Sequence, residues 1–348
     1  MADEDGSARR LDELTLQSIQ QEYRSLLATK PEPEDLETAS AHPNVSKNRY
    51  CNVLPLEATR VRLSSQEGLP HSDYINASLV RSECPPEPGE ATYIACQAPP
   101  VGTMGDFWRM VWEQNSAVVV MLTRLLENGR PKADAYWPEE QEAAKEYGDF
   151  SVRLLRSAAN SSRTIRALRV HPTGRPDSHR DIFQLHYTAW PDHGTPRCCA
   201  SILELLVLMK EFARHTAAAM AAPPGPIIVQ CSAGIGRTGT FIAIHQSLEL
   251  LAHHGSCEIP QIVEALRKQR FGAVQTEEQY VFIYRVLEYA LNYCSHLSGD
   301  AVSHSSSPHD PSPSRSSRSI LLDPDHLQHS ESTHQQQQQQ HSVSITPP

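Results

Sequence analysis

One stretch of this chain restricts its fold more than any other. A short apolar run, Pro226-Ile227-Ile228-Val229, reads as a buried strand, and Phe241-Ile242-Ala243-Ile244-His245-Gln246-Ser247-Leu248 reads as a helix. Between them lies Gln230-Cys231-Ser232-Ala233-Gly234-Ile235-Gly236-Arg237-Thr238-Gly239-Thr240. A strand, a small-residue loop and a helix start place unpaired backbone N–H groups, and the positive end of a helix dipole, around the cysteine. That is an anion cradle. Arg237 adds a fixed cation able to fork two hydrogen bonds to an oxyanion. The chemistry implied is attack by a thiolate on phosphorus. The plainer alternative for Cys231 is a structural cysteine at a strand end, but that role needs neither the arginine nor Gly234, Gly236 and Gly239.

Such a reaction expels a phenolate or alkoxide, so a general acid is needed on a segment that can close over the substrate. Trp190-Pro191-Asp192-His193-Gly194-Thr195-Pro196 offers Asp192 on a short loop, with Trp190 as a bulky anchor. Alone, Pro-Asp-x-Gly is an ordinary turn. Its value lies in occurring with the cysteine loop.

Together these segments resemble the tyrosine-specific, cysteine-dependent protein phosphatases. The likeness extends through Lys47-Asn48-Arg49-Tyr50, Asp73-Tyr74-Ile75-Asn76-Ala77-Ser78, Asp106-Phe107-Trp108, Val120-Met121-Leu122, Lys132 with Tyr136-Trp137-Pro138, and Val274-Gln275-Thr276 with Gln279-Tyr280. It covers about residues 45–292. It looks most like the short, single-domain, non-receptor enzymes of plants and other non-animal eukaryotes. The resemblance implies an α/β fold, a highly twisted mixed β-sheet flanked by helices on both faces. It implies hydrolysis of phosphotyrosine in proteins through a phosphocysteine on Cys231, with no metal or other cofactor.

The same resemblance assigns roles position by position. Arg237 and the backbone of Ser232, Ala233, Gly234, Ile235 and Gly236 would bind the phosphoryl oxygens. Asp192 would protonate the leaving tyrosine and then activate water, which Gln275 would position with help from Gln279. Thr238 would offer its hydroxyl to the thiolate, Glu127 would hold the guanidinium of Arg237, and Lys132 would meet the Asp192 loop. Tyr50 would set the pocket depth that admits phosphotyrosine and leaves phosphoserine short of Cys231; otherwise it is a strand-edge aromatic. Arg267 and Gly272 stand where some relatives bind a second phosphotyrosine, and Arg267 is equally at home as a solvated helix residue.

Several positions depart from the pattern. Gln230 replaces the usual His before the nucleophile, where it helps hold the thiolate. Asn52 replaces an Asp that grips the peptide backbone. Cys96, Ala98 and Ala133 replace Thr, Gly and Cys. Gln230 and Asn52 keep open a second reading, a catalytically weak phosphotyrosine-binding protein. A dual-specificity or lipid phosphatase is disfavoured by the Tyr50 element.

The net charge of −10 speaks against a general nucleic-acid binder, yet a few arginines can make a local positive pocket. The most apolar region, Ala217 to Val229, is broken by three prolines, so no membrane span is expected. The acidic N-terminus lacks a secretory signal, Ala2 stands where myristoylation needs glycine, and no prenylation cysteine ends the chain. Eight scattered cysteines without a CxxC framework fit a reducing compartment; the adjacent Cys198 and Cys199 read as incidental. The expectation is a monomer of the cytoplasm or nucleus acting on phosphotyrosine proteins, activated kinases among them, with a thiolate open to reversible oxidation.

Helical periodicity runs from Leu11 to Leu27, and residues 104–114, 199–215, 240–252, 260–270 and 277–294 also read as helices. Strands are expected at 74–80, 92–96, 117–122 and 227–229, with 150–154, 164–170 and 182–187 forming an antiparallel region. The domain division is a disordered 1–10, a phosphatase domain over 11–295, and a disordered Ser/His/Pro/Gln-rich tail over 296–348. In that tail Ser307, Ser312 and Thr346 precede prolines, as phosphorylation sites or as common residues of a loose segment.

Overall fold

A computed structural model describes residues 13–27, 30–82, 92–192, 194–220 and 223–303, with side chains described between residues 15 and 292. The helices are α1 (Glu13–Ser25), the short α2 (Glu37–Ser40) and α3 (His42–Val45), α4 (Met104–Glu113), α5 (Cys199–Ala219), α6 (Gly236–His254), α7 (Ile259–Gln269) and α8 (Glu277–Ser303). The strands are β1 (Arg60–Arg62), β2 (Tyr74–Val80), β3 (Tyr93–Gln97), β4 (Val118–Met121), β5 (Leu126–Glu127), β6 (Arg130–Pro131), β7 (Ala144–Tyr147), β8 (Phe150–Ala159), β9 (Arg163–Pro172), β10 (Arg180–Tyr187) and β11 (Ile227–Cys231).

Among the described residues nine strands form one mixed sheet in the order β1-β2-β3-β11-β4-β10-β9-β8-β7. The centre is parallel, β11 lying between β3 and β4 with β10 beyond β4. Antiparallel wings extend it on both sides. Parallel strands covered on both faces read as unbroken apolar runs, which is why Ile227-Ile228-Val229 and Val118-Val119-Val120 show no alternation. The expected antiparallel placement of 182–187 therefore needs correction: β10 pairs antiparallel with β9 but parallel with β4.

The pleat sorts β11. Ile228 joins a core built from Ile94, Cys96, Val119, Met121, Trp108, Tyr136 and Trp137, and Gln230 follows it on that face. Ile227, Val229 and Cys231 point the other way, since successive side chains of a strand alternate. On that second face α6 lies over β11 and β3, and α5 over β4 and β10.

Three boundaries differ from the sequence expectation. The helix expected near residue 240 begins at Gly236, because a first turn of Gly, Arg, Thr and Gly carries no apolar signal while its N–H groups are free for another use. The β8–β9 hairpin extends past residue 154 to Ala159, with a bulge between Leu154 and Arg156; its outer half is too exposed to alternate. The backbone of α8 runs on to Ser303, past the expected boundary at 295. Residues 304–348, with Ser307, Ser312, Thr346 and the rest of the expected tail, lie outside the described residues, as do the expected disordered 1–10 and His193.

Candidate active site

The central strand β11 delivers Cys231 to the carboxyl end of the sheet, where open α/β sheets bind ligands. From there the carbonyls of the loop all turn outward to partners. Cys231 and Ser232 accept from the Ala98 N–H at 2.8 and 3.2 Å, and Ile235 accepts from Gly239 and Val274 at 2.8 and 3.2 Å. Ala233 and Gly234 accept from the guanidinium of Arg270 at 3.1 and 3.2 Å. With the carbonyls occupied, the loop amides are left for another acceptor. Gly234 donates to Cys231 Sγ at 3.2 Å, and the N–H groups of Ser232, Ala233, Ile235, Gly236 and Arg237 have no acceptor among the described residues.

Two features make this loop possible. Gly234 has φ +73°, and a Cβ there would lie 2.3 Å from the Cys96 carbonyl, so no side chain fits. Arg270 is only 1% exposed and also donates to Asn76 Oδ1 at 2.7 Å. Sequence reasoning missed Arg270, since an arginine just after a helix reads as solvated and only tertiary packing buries it. The same enclosure biases its guanidinium away from the charged form by desolvation, and the carbonyls and Asn76 answer that cost with hydrogen bonds.

Arg237 stands over the loop and is held from three sides. Its Nη1 donates to Glu127 Oε1 at 2.7 Å and to Leu122 O at 3.0 Å; its Nη2 donates to Glu127 Oε2 at 2.8 Å and to Pro191 O at 2.9 Å. Glu127 is buried and further fixed by Thr123 Oγ1 at 3.0 Å and the Arg124 N–H at 3.1 Å. The Pro191 contact ties the loop bearing Asp192 to the arginine of the cysteine loop. Trp190 anchors that loop: it is buried, donates through Nε1 to Gly194 O at 3.2 Å and packs on Phe282.

Asp192 is gripped by the β5–β6 hairpin. Lys132 Nζ lies 3.1 Å from Oδ1, and Asn128 Nδ2 donates to Oδ2 at 2.7 Å. Asn128 and Gly129, at φ 47° and 73°, are the Asn-Gly pair favoured in a two-residue hairpin turn. The hydrogen bond from Lys132, followed by one with Glu127 and with a smaller contribution from Asn128, lowers the Asp192 pKa to about 2. Asn128 is thus a further contact of the acid that the sequence analysis did not single out, although the Asn-Gly turn signal was there to be read.

Tyr50 reaches the loop: its hydroxyl lies 2.8 Å from Ser232 Oγ, which donates to Lys132 O at 2.6 Å. Arg49 secures the approach through Ala98 O, Pro99 O and Asp134. Asn52 is exposed nearby in the chain. Gln275 and Gln279 come to the opposite side of the loop. Gln279 Oε1 accepts from the Gln275 N–H at 3.0 Å, and both side-chain amides fill the space a Cβ on Gly236 would need, at 3.0–3.1 Å.

Two expected contacts, those of Gln230 and Thr238 with the thiol, are absent. Gln230 is fully buried on the far side of the sheet, where Nε2 donates to Tyr136 Oη at 2.8 Å and Oε1 accepts from Cys96 Sγ at 3.9 Å. It therefore does not touch the thiol of Cys231, because adjacent strand residues face opposite ways. Thr238 Oγ1 is buried without a hydrogen-bond partner among the described residues, so it is not bonded to Sγ. Arg267 is engaged rather than solvated: Nη2 donates to Val274 O at 2.9 Å, Nη1 to Leu26 O at 3.4 Å, and the guanidinium lies over the Tyr23 ring.

His186 was also not anticipated. Its Nε2 lies 2.8 Å from Thr123 O, beside the residue that supports Glu127, and Nδ1 lies 3.3 Å from Arg166 Nη1. Burial, with Arg166 adding to it, lowers its pKa to about 4. An arginine can only donate, so Nδ1 accepts and Nε2–H donates to the carbonyl.

A thiol at the foot of converging amides, an arginine fixed by a carboxylate, and a carboxylic acid on a tethered loop define a site for phosphoryl transfer to cysteine. Residues 44–289 match the protein-tyrosine phosphatase family, and the chain belongs to it. It is 46% identical over 256 residues to the Caenorhabditis elegans "Tyrosine-protein phosphatase Lar-like", 42% over 264 residues to the Dictyostelium discoideum "Tyrosine-protein phosphatase 3", and 42% over 251 residues to the Mus musculus "Receptor-type tyrosine-protein phosphatase F". These matches take in 74%, 74% and 72% of this chain but only 11%, 26% and 12% of the relatives. The chain spans a small part of each. No helix among the described residues is long and apolar enough to cross a membrane.

Proposed function

We propose that this chain hydrolyses phosphotyrosine in proteins through a phosphocysteine. The observation that carries the reading is the Glu127–Arg237–Pro191 connection, which joins the cation of the cysteine loop to the loop of the acid. In the first step the Sγ–P bond forms as the P–O bond to tyrosine breaks, and Asp192 gives its proton to the departing phenolate. In the second, Asp192 takes a proton from water held by Gln275, the water oxygen bonds phosphorus, and the Sγ–P bond breaks. Arg237 and the loop amides stabilise charge on the equatorial oxygens in both. Thr238, buried beside the nucleophile's loop, is the donor available to the departing thiolate.

Tyr50 supports selection of phosphotyrosine, since its ring rises from the rim next to Ser232 and deepens the approach to Cys231. Asn52 would meet the peptide beyond it. The six described cysteines, at 51, 96, 198, 199, 231 and 257, are free thiols, which supports a reducing location, the cytoplasm or the nucleus. Activated kinases as substrates and a monomeric state belong to the same proposal. The narrower likeness to short non-receptor enzymes of plants and other non-animal eukaryotes has the non-animal source of the Dictyostelium relative in its favour, and that relative's much greater length and the receptor-type animal relative against it.

The test is hydrolysis of p-nitrophenyl phosphate between pH 5 and 8 with Cys231→Ser as control, followed by capture of lysate proteins on Asp192→Ala. Turnover that depends on Cys231 and selective capture of phosphotyrosine proteins are expected. Turnover undiminished in Cys231→Ser, or none in the parent at any pH, sinks the reading; capture of phosphoserine proteins sinks the specificity.

A further inference from the structure

The two glutamines beside the cysteine loop are each covalent neighbours of a residue held by α1, a helix upstream of the matched residues 44–289. Gln275 follows Val274, and Val274 is held by Tyr23. Gln279 precedes Tyr280, and Tyr280 is held by Glu22. These contacts lie between residues about 250 apart in the chain.

Val274 needs such holding. It is fully buried with φ +56°, a left-handed conformation that a β-branched residue rarely adopts. Its N–H donates to Ile235 O at 3.2 Å, on the cysteine loop itself. Its carbonyl accepts from Tyr23 Oη at 3.2 Å and from Arg267 Nη2 at 2.9 Å. Arg267 in turn stacks on the Tyr23 ring, 5.6 Å from its centroid, and reaches Leu26 O just past α1. Both donors to the Val274 carbonyl are therefore organised by the end of α1.

The second attachment is parallel. Glu22 Oε1 accepts from the Tyr280 hydroxyl at 2.5 Å and from the Tyr284 hydroxyl. The Tyr23 ring packs against that of Tyr280 at 5.4 Å, and Arg24 pairs with Glu277 at 3.4 Å. Burial of Ile19 and Tyr23 seats α1 in place.

We propose that α1, through Tyr23 and Glu22, is a positioning element for Gln275 and Gln279, and so governs the hydrolysis of the phosphocysteine rather than its formation. The proposal rests on the phosphatase reading, in which Gln275 places the water of the second step. Formation uses Cys231, Arg237 and Asp192, none of which α1 touches. A loosened Val274 lets the Gln275 amide wander from the water's line of approach, and small displacements of positioning groups are costly.

The experiment is pre-steady-state hydrolysis of p-nitrophenyl phosphate by the full chain, its Tyr23→Phe variant, Gln275→Ala and the double variant. Tyr23→Phe keeps the ring on Tyr280 and Arg267 and removes one hydroxyl. The expected result is a rise in the p-nitrophenol burst and about a tenfold slower second step, with kcat/KM, which reports phosphocysteine formation, unchanged. In the Gln275→Ala background Tyr23→Phe should have no further effect. Glu22→Gln, whose amide oxygen still accepts both phenols, should behave as the parent, and Glu22→Ala as Tyr23→Phe. The ratio of the two steps does not depend on the fraction of folded protein, so a loss of stability cannot imitate the result. Equal slowing of both steps, no slowing, or an additive loss with Gln275→Ala overturns the inference and leaves the phosphatase reading standing. A parent without Cys231-dependent turnover overturns both.

Discussion

Glu127→Gln tests how the site sets Arg237, the cation proposed to bind phosphate. Glu127 Oε1 accepts from Arg237 Nη1, Thr123 Oγ1 and the Arg124 N–H, while Oε2 accepts from Arg237 Nη2 at 2.8 Å. A glutamine therefore puts its oxygen at the Oε1 position and its amide nitrogen against Nη2. Two donors then face each other where a charge-assisted bond had been. Such a bond contributes about 1.5–3 kcal/mol. Arg237 keeps Leu122 O and Pro191 O as acceptors, so the guanidinium is tilted rather than abandoned. At about 1.4 kcal/mol per factor of ten, kcat/KM for p-nitrophenyl phosphate should fall roughly 10- to 100-fold if orientation is needed in the transition state. Most of the loss should appear in kcat, because the cation is required as charge spreads over the phosphoryl oxygens. Active-site titration by the burst separates this from loss of folded enzyme. A kcat/KM within about threefold of the parent, a difference below 1 kcal/mol, would refute the argument and show that the two carbonyls alone orient Arg237.

Lys132→Met removes the main cause of the lowered Asp192 pKa, so that carboxyl should move from about 2 toward its ordinary 3.8. The alkaline limb of kcat/KM, which follows the protonated acid, should shift upward; a downward shift contradicts the assignment. The depressed value also means that this clamp stabilises the fold above about pH 4 and that its contribution fades as pH falls toward 2, so thermal melts of parent and variant should converge over that window. Gln230→His should leave the pH dependence of Cys231 alkylation by iodoacetate superimposed on that of the parent, since the side chain lies across the sheet on Tyr136; a displaced curve would reveal coupling through the strand. Gly234→Ala drives a Cβ to 2.3 Å from the Cys96 carbonyl at φ +73°, so turnover should be lost with a melting temperature lowered by several degrees; wild-type turnover would show that the loop is not needed in this shape.

The sequence alone determined the chemistry and much of the local frame. Cys231, Arg237 and the glycines between them lie in one stretch, so backbone geometry brings them together without help from the rest of the fold. The apolar run of β11 and the helix after it are likewise local signals. Only the tertiary structure decided what surrounds them. Arg270 is unremarkable in the text, yet packing buries it behind the loop, where it occupies two carbonyls and turns the amides inward. Gln230 is adjacent to Cys231 in the chain and lies across the sheet from it, because the pleat sends neighbours to opposite faces. Tyr23 shows the reverse case, far from Gln275 in sequence and one hydrogen bond from its neighbour Val274 in space. Chain proximity sets which atoms react; the partners of buried donors and acceptors, which no one-dimensional pattern encodes, set where those atoms are held.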